Sequence, residues 1–321
     1  MKNVIEAIKS LWNFFSAIFN NKKEEVKKSR KEEVSEYTLA QMKELWQKEH
    51  YPKITEAGAL CYEFAWKKIP EEMKEKKFLE LTYADWQSVV DEVRKSGLSF
   101  SSQKRIKNFC GQLYKCAIKE GICEKNFAYM IEMSKNIPVV EKTVFTSEEL
   151  KKLWSHKTSE NVMLVLILIY TGVRVSELLR VRREEDVFLA DNYFIIRQSK
   201  TYAGTNRPIP IHKFILPFIK YFYELSYKRG SVYLFCDRHG EMLTYRFFRY
   251  HFKKVMERFG FNHTIHECRH TFASLLDDNG ANEMCIKKIL GHAGFGVTKK
   301  VYTHKNLEQL FEAINTIKKK Y

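Results

Sequence analysis

Six residues suited to phosphoryl transfer lie in order along the second half of the chain: Arg174, Lys200, His266, Arg269, His292 and Tyr302. Attack on a phosphodiester builds negative charge on the non-bridging oxygens. A catalyst therefore needs fixed cations, a nucleophile and a proton donor for the leaving oxygen. Arginine suits the cationic role because its planar guanidinium stays charged and can bind two phosphate oxygens. Arg174 and Arg269 are the candidate phosphate clamp.

The other four residues are candidates for the nucleophile and for proton transfer. Histidine titrates near neutrality, so His266 is a candidate base toward the nucleophile and His292 a candidate donor to the phosphate. Tyr302 is the candidate nucleophile, and its phenol, with an ordinary pKa of about 10, needs activation by neighbouring groups. Lys200 lies where a strand is expected to end, in a hairpin whose second strand is residues 207–211. It is the candidate general acid for a leaving 5′-oxygen.

The motifs around these residues resemble those of the tyrosine recombinases, the family of phage and conjugative-transposon integrases. Thr171-Gly172-Val173-Arg174 is similar to the family's first arginine motif, and His266-Glu267-Cys268-Arg269-His270 to its His-x-x-Arg-His box. Leu290-Gly291-His292 is similar to its third box. The resemblance covers residues 143–305 and implies that the six residues form the catalytic hexad. Tyr302 follows His292 by ten residues, one more than the commonest spacing in the family.

The resemblance implies a fold and an activity. The expected fold is mainly α with a small β-hairpin or sheet, in two domains: a helical core-binding domain and a mixed α+β catalytic domain. The expected activity is site-specific cleavage and rejoining of DNA through a 3′-phosphotyrosyl bond, without metal or nucleotide cofactor. Glu177, three residues after Arg174, is predicted either to orient that arginine or to be a surface acid.

The partners implied by the resemblance are double-stranded DNA at a recombination site and three further copies of the chain, as a homotetramer exchanging strands through a Holliday junction. Integration or excision of a mobile element is the favoured role. The alternatives are resolution of chromosome or plasmid dimers by the same chemistry, rejoining within one duplex as in type IB topoisomerases, and DNA binding without catalysis. The need for an accessory DNA-bending or directionality factor stays open.

Composition agrees with a DNA-acting protein of two domains. The chain has 321 residues, a formal net charge of +16 and a pI near 9.3, which favours an anionic partner but does not separate DNA from RNA or an anionic membrane. Seven cysteines without Cys-x-x-Cys spacing argue against a disulfide framework and a structural zinc site. This cysteine usage predicts a cytoplasmic protein, and no apolar stretch reaches membrane-spanning length.

Four segments are predicted along the chain. Residues 1–34 are read as an amphipathic helix followed by a charged linker, in which the apolar side chains pack within the chain, on a neighbouring protomer or on a membrane surface. Residues 35–133 form the helical core-binding (SAM-like) domain, 134–142 the interdomain linker and 143–321 the catalytic domain.

Two further surfaces are predicted from helical patterns. Lys104, Arg105 and Lys107 lie in the first turns of a helix and are candidate contacts to the DNA backbone, or else a solvated face. After Tyr302, an apolar stripe needs burial, and the family resemblance favours packing on a neighbouring protomer. Its members are Leu307, Leu310, Phe311, Ile314 and Ile317.

Overall fold

The described residues form two compact units, which divide after residue 139. The computed structural model describes residues 33–136, 143–199, 202–292 and 304–318. The helices of the first unit are α1 (Leu39–His50), α2 (Glu56–Trp66), α3 (Glu71–Glu75), α4 (Tyr83–Lys95) and α5 (Phe100–Lys119). Short 3₁₀ turns lie at Tyr51–Lys53, Phe78–Glu80 and Phe127–Tyr129.

Local sequence signals explain where helices of the first unit begin and which side they bury. At the start of α1, the Thr38 hydroxyl accepts a bond from the Gln41 backbone N–H at 3.2 Å, and the Gln41 side chain accepts one from the Thr38 N–H at 2.9 Å. Ile106, Phe109 and Leu113 recur at helical spacing on α5 and are fully buried. These residues form the buried side of α5.

The second unit is also mainly helical and carries a small sheet. Its helices are α6 (Ser147–Ser155), α7 (Glu160–Thr171), α8 (Val175–Leu178), α9 (Arg183–Asp186), α10 (Leu216–Lys228), α11 (Tyr245–Phe259), α12 (Ile265–Asp278), α13 (Glu283–Leu290) and α14 (His304–Asn315). The mainly α fold class with a small sheet is confirmed.

Helix α7 forms the centre of the second unit. Its run from Val162 to Thr171 is almost entirely buried, and α12 packs against it. The preceding helix, α6, begins at a capping box, in which Thr146 accepts from the Glu149 N–H at 3.2 Å. The buried helix α7 leads directly to Gly172.

The sheet has three antiparallel strands in the order β1 (Val187–Phe188), β2 (Tyr193–Ile196) and β3 (Arg207–Pro210). Strands β2 and β3 form the predicted hairpin, with Ile196 opposite Arg207. Strand β2 ends at Ile196, before the expected position next to Lys200. Directly after the strand, the Arg197 Nε donates to Asp186 Oδ1 at 2.9 Å. A 3₁₀ turn, Tyr202–Gly204, lies in the connection.

The C-terminal helix α14 packs within its own chain, so the expected packing on a neighbouring protomer is wrong for this structure. Leu310, Ile314 and Ile317 are almost fully buried in the core of the second unit. The end of the helix is held by His212, whose Nε2 lies 3.0 Å from the Ile317 carbonyl oxygen. An apolar stripe requires burial but does not specify the surface that covers it.

Several predicted features lie outside the described residues. They are the N-terminal helix and charged linker up to residue 32, residues 137–142 of the linker, Lys200 and Tyr302. Within the described ranges, no helix combines the length and hydropathy needed to span a bilayer.

Candidate active site

Arg174 is positioned by the glycine that ends α7. Gly172 has a φ of +63° and donates its N–H to the Leu168 carbonyl at 2.9 Å, as a left-handed helix cap. A Cβ at this position would overlap the Phe272 ring and Leu290, so only glycine fits. The chain then turns at once, and Arg174 becomes the N-cap of α8. The Thr-Gly-x-Arg pattern thus ends one helix and starts the next.

Glu177 holds Arg174 in place. One carboxylate oxygen, Oε1, accepts from Arg174 Nη1 at 2.7 Å and from the Ser199 hydroxyl at 2.6 Å. The other, Oε2, accepts from the Arg174 backbone N–H at 3.0 Å and from Arg207 Nη2 at 2.6 Å. Of the two readings of Glu177, the orienting one agrees with this geometry, because its side chain is 3% exposed.

The charge state of Glu177 follows from these contacts. Burial by itself would raise the pKa of the carboxyl, but the Arg207 guanidinium, the Ser199 hydroxyl and the Arg174 N–H outweigh burial and lower the pKa to about 2. Glu177 is therefore an anion at neutral pH and acts only as an acceptor.

Arg269 joins two of the sequence motifs through main-chain carbonyls. It lies on α12, which begins at Thr264 with a capping box to Glu267. Its Nη1 donates to the Gly172 oxygen at 2.8 Å and its Nη2 to the Leu290 oxygen. Burial, together with the positive charges of Arg174 and Arg207, lowers the pKa of Arg269 to about 10. The guanidinium is thus fixed against the residues two positions before Arg174 and His292.

His266 shares one side of α12 with Arg269, three positions on, and with His270, four positions on, because positions three and four apart are neighbours on a helix. The His266 and His270 rings meet edge to face with centroids 4.8 Å apart. His266 is exposed and His270 is half-buried. The box therefore presents one accessible imidazole beside a buried guanidinium.

His292 directly follows a left-handed glycine cap, as the segment before Arg174 also does. Gly291, at φ +67°, caps α13, and the His292 N–H donates to the Lys287 carbonyl at 3.1 Å. The imidazole is exposed at its tip, and its partial burial beside Arg269 and Arg174 lowers its pKa. His292 is therefore neutral at pH 7 and still carries one N–H donor.

The structure brings Arg174, Arg269 and His292 close enough for their charges to interact, with Glu177 beneath Arg174. Lys200 and Tyr302 lie outside the described residues. Sequence reasoning assigned no role to Arg207 or Ser199, both of which bind Glu177. A charged residue opening an otherwise apolar strand was the available signal for Arg207.

The three candidate DNA contacts of the first unit differ in their surroundings. Lys104 is exposed, Arg105 is exposed and stacks over the Phe64 ring at 5.1 Å, and Lys107 donates to the Ile131 carbonyl at 2.8 Å. Lys107 thus also has a structural role. Among the described residues, no group of three or more His, Cys, Asp or Glu side chains is placed to bind a metal ion.

Comparison with known proteins identifies the family. The phage integrase family matches residues 143–309, about half of the chain. The chain belongs to the phage integrase family. The tyrosine recombinase XerA of Pyrococcus horikoshii is 32% identical over 254 residues, covering 75% of this chain and 84% of that protein. The tyrosine recombinase XerC of Listeria monocytogenes is 26% identical over 248 residues, covering 73% of this chain and 81% of its own.

Solved structures of tyrosine recombinases share the fold. The Tn1549 transposon integrase, solved with a circular intermediate DNA, superposes with a TM-score of 0.67 at 17% identity, covering 86% of this chain and 98% of that one. The lambda integrase tetramer, solved on a Holliday junction, gives a TM-score of 0.67 at 20% identity and covers 81% and 76% of the two chains. Family membership makes this chain a tyrosine recombinase, an enzyme that cleaves and rejoins DNA strands.

Proposed function

We propose that this tyrosine recombinase uses Tyr302 as its nucleophile and integrates or excises a mobile DNA element at a specific site. The Tyr302 phenol oxygen forms a bond to the scissile phosphorus as the bond from phosphorus to the 5′-oxygen breaks. His266 accepts the phenol proton, and Lys200 gives a proton to the leaving 5′-hydroxyl. A 5′-hydroxyl from a partner strand then reverses these steps, so the phosphotyrosyl bond conserves the energy of the broken linkage.

The observation that supports this proposal best is the convergence of two anchored guanidiniums. Arg269 donates two of its five N–H groups to main-chain carbonyls, and Glu177 binds Arg174. The remaining N–H donors of the two arginines can bind a phosphate whose negative charge grows in the transition state. Because the arginines are already held in place, they need not reorganise when the transition state forms. His292, neutral and beside both arginines, is suited to donate to a non-bridging oxygen.

Double-stranded DNA and further copies of the chain are the proposed partners. The Tn1549 and lambda integrases were solved on DNA, the latter as a dimer and as a tetramer. A net charge of +16 supports the same kind of partner, because lysine and arginine release counter-ions when they bind phosphates. We place a homotetramer on paired recombination sites, in the cytoplasm, with an accessory DNA-bending or directionality factor as an optional component.

Covalent trapping tests the chemistry. The wild type and the Tyr302→Phe variant would be incubated with nicked duplexes from DNA flanking the gene, denatured and run on a gel. Tyr227→Phe is the matched control, because Tyr227 is 68% exposed in the same unit. An adduct with the wild type and Tyr227→Phe, but not with Tyr302→Phe, is expected. An adduct that persists in Tyr302→Phe would refute the nucleophile, and duplex binding without any adduct would favour a silent DNA-binding protein.

Resolution of chromosome or plasmid dimers by the same chemistry is the second candidate. The two sequence relatives described above, XerA at 32% identity and XerC at 26%, are named as tyrosine recombinases and not as integrases. Plasmids carrying two trapped sites in direct repeat, and separate plasmids carrying one site each, distinguish the two roles. Integration predicts joining of the separate plasmids, whereas dimer resolution predicts only deletion between the repeats.

A further inference from the structure

We propose that Arg207 is a positioning residue for DNA cleavage, which aligns Arg174 and His292 with each other through Glu177 and the end of α13. This inference rests on the proposed function, because it concerns the geometry of the same site. Arg207 binds Glu177, the Gly204 carbonyl and the Ile289 carbonyl, and its proposed effect on cleavage passes through these groups.

Arg207 binds three separate segments of the second unit. Its Nη2 lies 2.6 Å from Glu177 Oε2 on α8, and its Nε donates to the Ile289 carbonyl on α13 at 2.9 Å. Its Nη1 donates to the Gly204 carbonyl in the hairpin connection. The side chain is fully buried. One rigid, planar group thus fixes the relative positions of the first arginine motif, the hairpin and the Leu-Gly-His motif.

The guanidinium also lies against the residue that precedes His292. A Cβ built on Gly291 would stand 3.2 Å from Cζ and Nε of Arg207 and 2.8 Å from Cα of Gly204. The backbone of Gly291 therefore packs directly on the hairpin connection and on Arg207. A change in the Arg207 side chain would move the point at which His292 leaves α13.

Stability alone is a weak reason for an ion pair at this place. Removing a charge from water is costly, and well-packed apolar groups often replace buried ion pairs without loss of stability. The Arg207 and Glu177 side chains are 1% and 3% exposed, so both bear this cost. The arrangement is explained by what the pair does for Arg174, since Glu177 must be ionised to accept from both its guanidinium and its backbone N–H.

Loss of Arg207 therefore has a distinctive consequence. Without Arg207, the strongest interactions that lower the pKa of Glu177 are lost while burial stays, so the pKa rises even though Arg174 still contacts the carboxylate. When Glu177 is protonated, one of its oxygens becomes a donor and the bonds that it accepts from Arg174 weaken. The cleavage rate should then fall as the pH falls, whereas the wild type, whose Glu177 has a pKa of about 2, shows no such decline from this group near neutral pH.

The test compares single-turnover cleavage of a nicked duplex, DNA affinity and thermal unfolding for Arg207→Met, Arg207→Lys and the wild type. Arg183→Met is the matched control, because Arg183 is also buried in this unit and donates to the Ser231 carbonyl. Arg207→Met should cleave about a hundredfold more slowly, as expected for a small misalignment, and bind DNA as the wild type does. Its rate should also fall at acidic pH.

The conservative variant separates the charge of Arg207 from its alignment of the three segments. Arg207→Lys keeps a cation beside Glu177 but not the planar fork, so it should restore the flat pH profile with only part of the rate. It also serves as the test if Arg207→Met does not fold. A pH profile of Arg207→Met equal to that of Arg183→Met, or cleavage by both Arg207 variants at the wild-type rate, would overturn the inference. Absence of an adduct from the wild type would instead refute the proposed function.

Discussion

Protonation of His212 should loosen the C-terminal helix α14. His212 is fully buried, and its Nδ1 accepts from the Phe214 N–H at 3.2 Å. The ring proton must then be on Nε2, where it is donated to the Ile317 carbonyl at 3.0 Å. A second proton on Nδ1 would face another donor. Burial, with a smaller contribution from the charge of Lys213, lowers the pKa of His212 to about 4.

The sign and size of the effect follow from the two pKa values. When α14 detaches from the core, which we call the open state, the His212 imidazole regains its ordinary pKa of 6.5. The open state therefore binds a proton between pH 6.5 and 4, whereas the closed state does not. Closure is therefore fully stable above pH 6.5 and loses stability as the pH falls. The loss is about 2 kcal/mol at pH 5, or about thirtyfold in the opening constant, and it approaches about 3 kcal/mol near pH 4.

Amide hydrogen exchange of peptides from α14, corrected for the intrinsic exchange rate, measures this opening. The His212→Gln variant keeps an N–H near the position of Nε2 but does not titrate. Between about pH 7.5 and about pH 5, exchange of α14 should accelerate about thirtyfold in the wild type and less than about threefold in the variant. Peptides from α4 provide the reference in each sample. Equal acceleration of α14 in both proteins would refute the reasoning.

Two further predictions concern a glycine and two lysines. Gly291→Ala should lower the melting temperature and abolish most adduct formation, because the new Cβ would lie 2.8 Å from Cα of Gly204. Gly260→Ala is the control, because it has the same left-handed strain of about 1–2 kcal/mol but no atom within 4 Å of the new Cβ. Equal melting temperatures of the two variants would contradict the prediction. Lys104→Ala should weaken DNA binding and reduce the slope of log affinity against log salt by about one, measured by fluorescence anisotropy. Lys107→Ala should mainly lower stability, since its ammonium binds a main-chain carbonyl; a larger loss of affinity than for Lys104→Ala would reverse that assignment.

The features that could be predicted from the sequence depend on residues that are close together along the chain. The capping box at Thr146 and the apolar run of α7 predicted their helices, because both depend on residues within a few positions of each other. The glycines at 172 and 291 mark the places where Arg174 and His292 leave their helices. The sequence order of the motifs therefore indicated which residues to expect at one site.

Contacts between distant residues were not predictable in the same way. Arg207 and Glu177 are 30 positions apart, and nothing in the strand pattern shows that the arginine turns inward to a carboxylate. The stripe on α14 required burial, but whether its own chain or a neighbour covers it depends on the surface offered by β3, α13 and His212. Such pairings arise from the tertiary packing, which local periodicity does not encode.

The bonding of Glu177 has a consequence for the free enzyme. Arg174, Arg207 and Arg269 influence one another electrostatically, and Glu177 is the carboxylate that interacts with all three. Burial and this excess of positive charge together lower the pKa of Arg269. In the proposed mechanism, the scissile phosphate brings negative charge to the same place, so it would act as a structural counter-ion as well as a substrate. The catalytic unit should therefore be at its most stable, and its arginines best aligned, when DNA is bound.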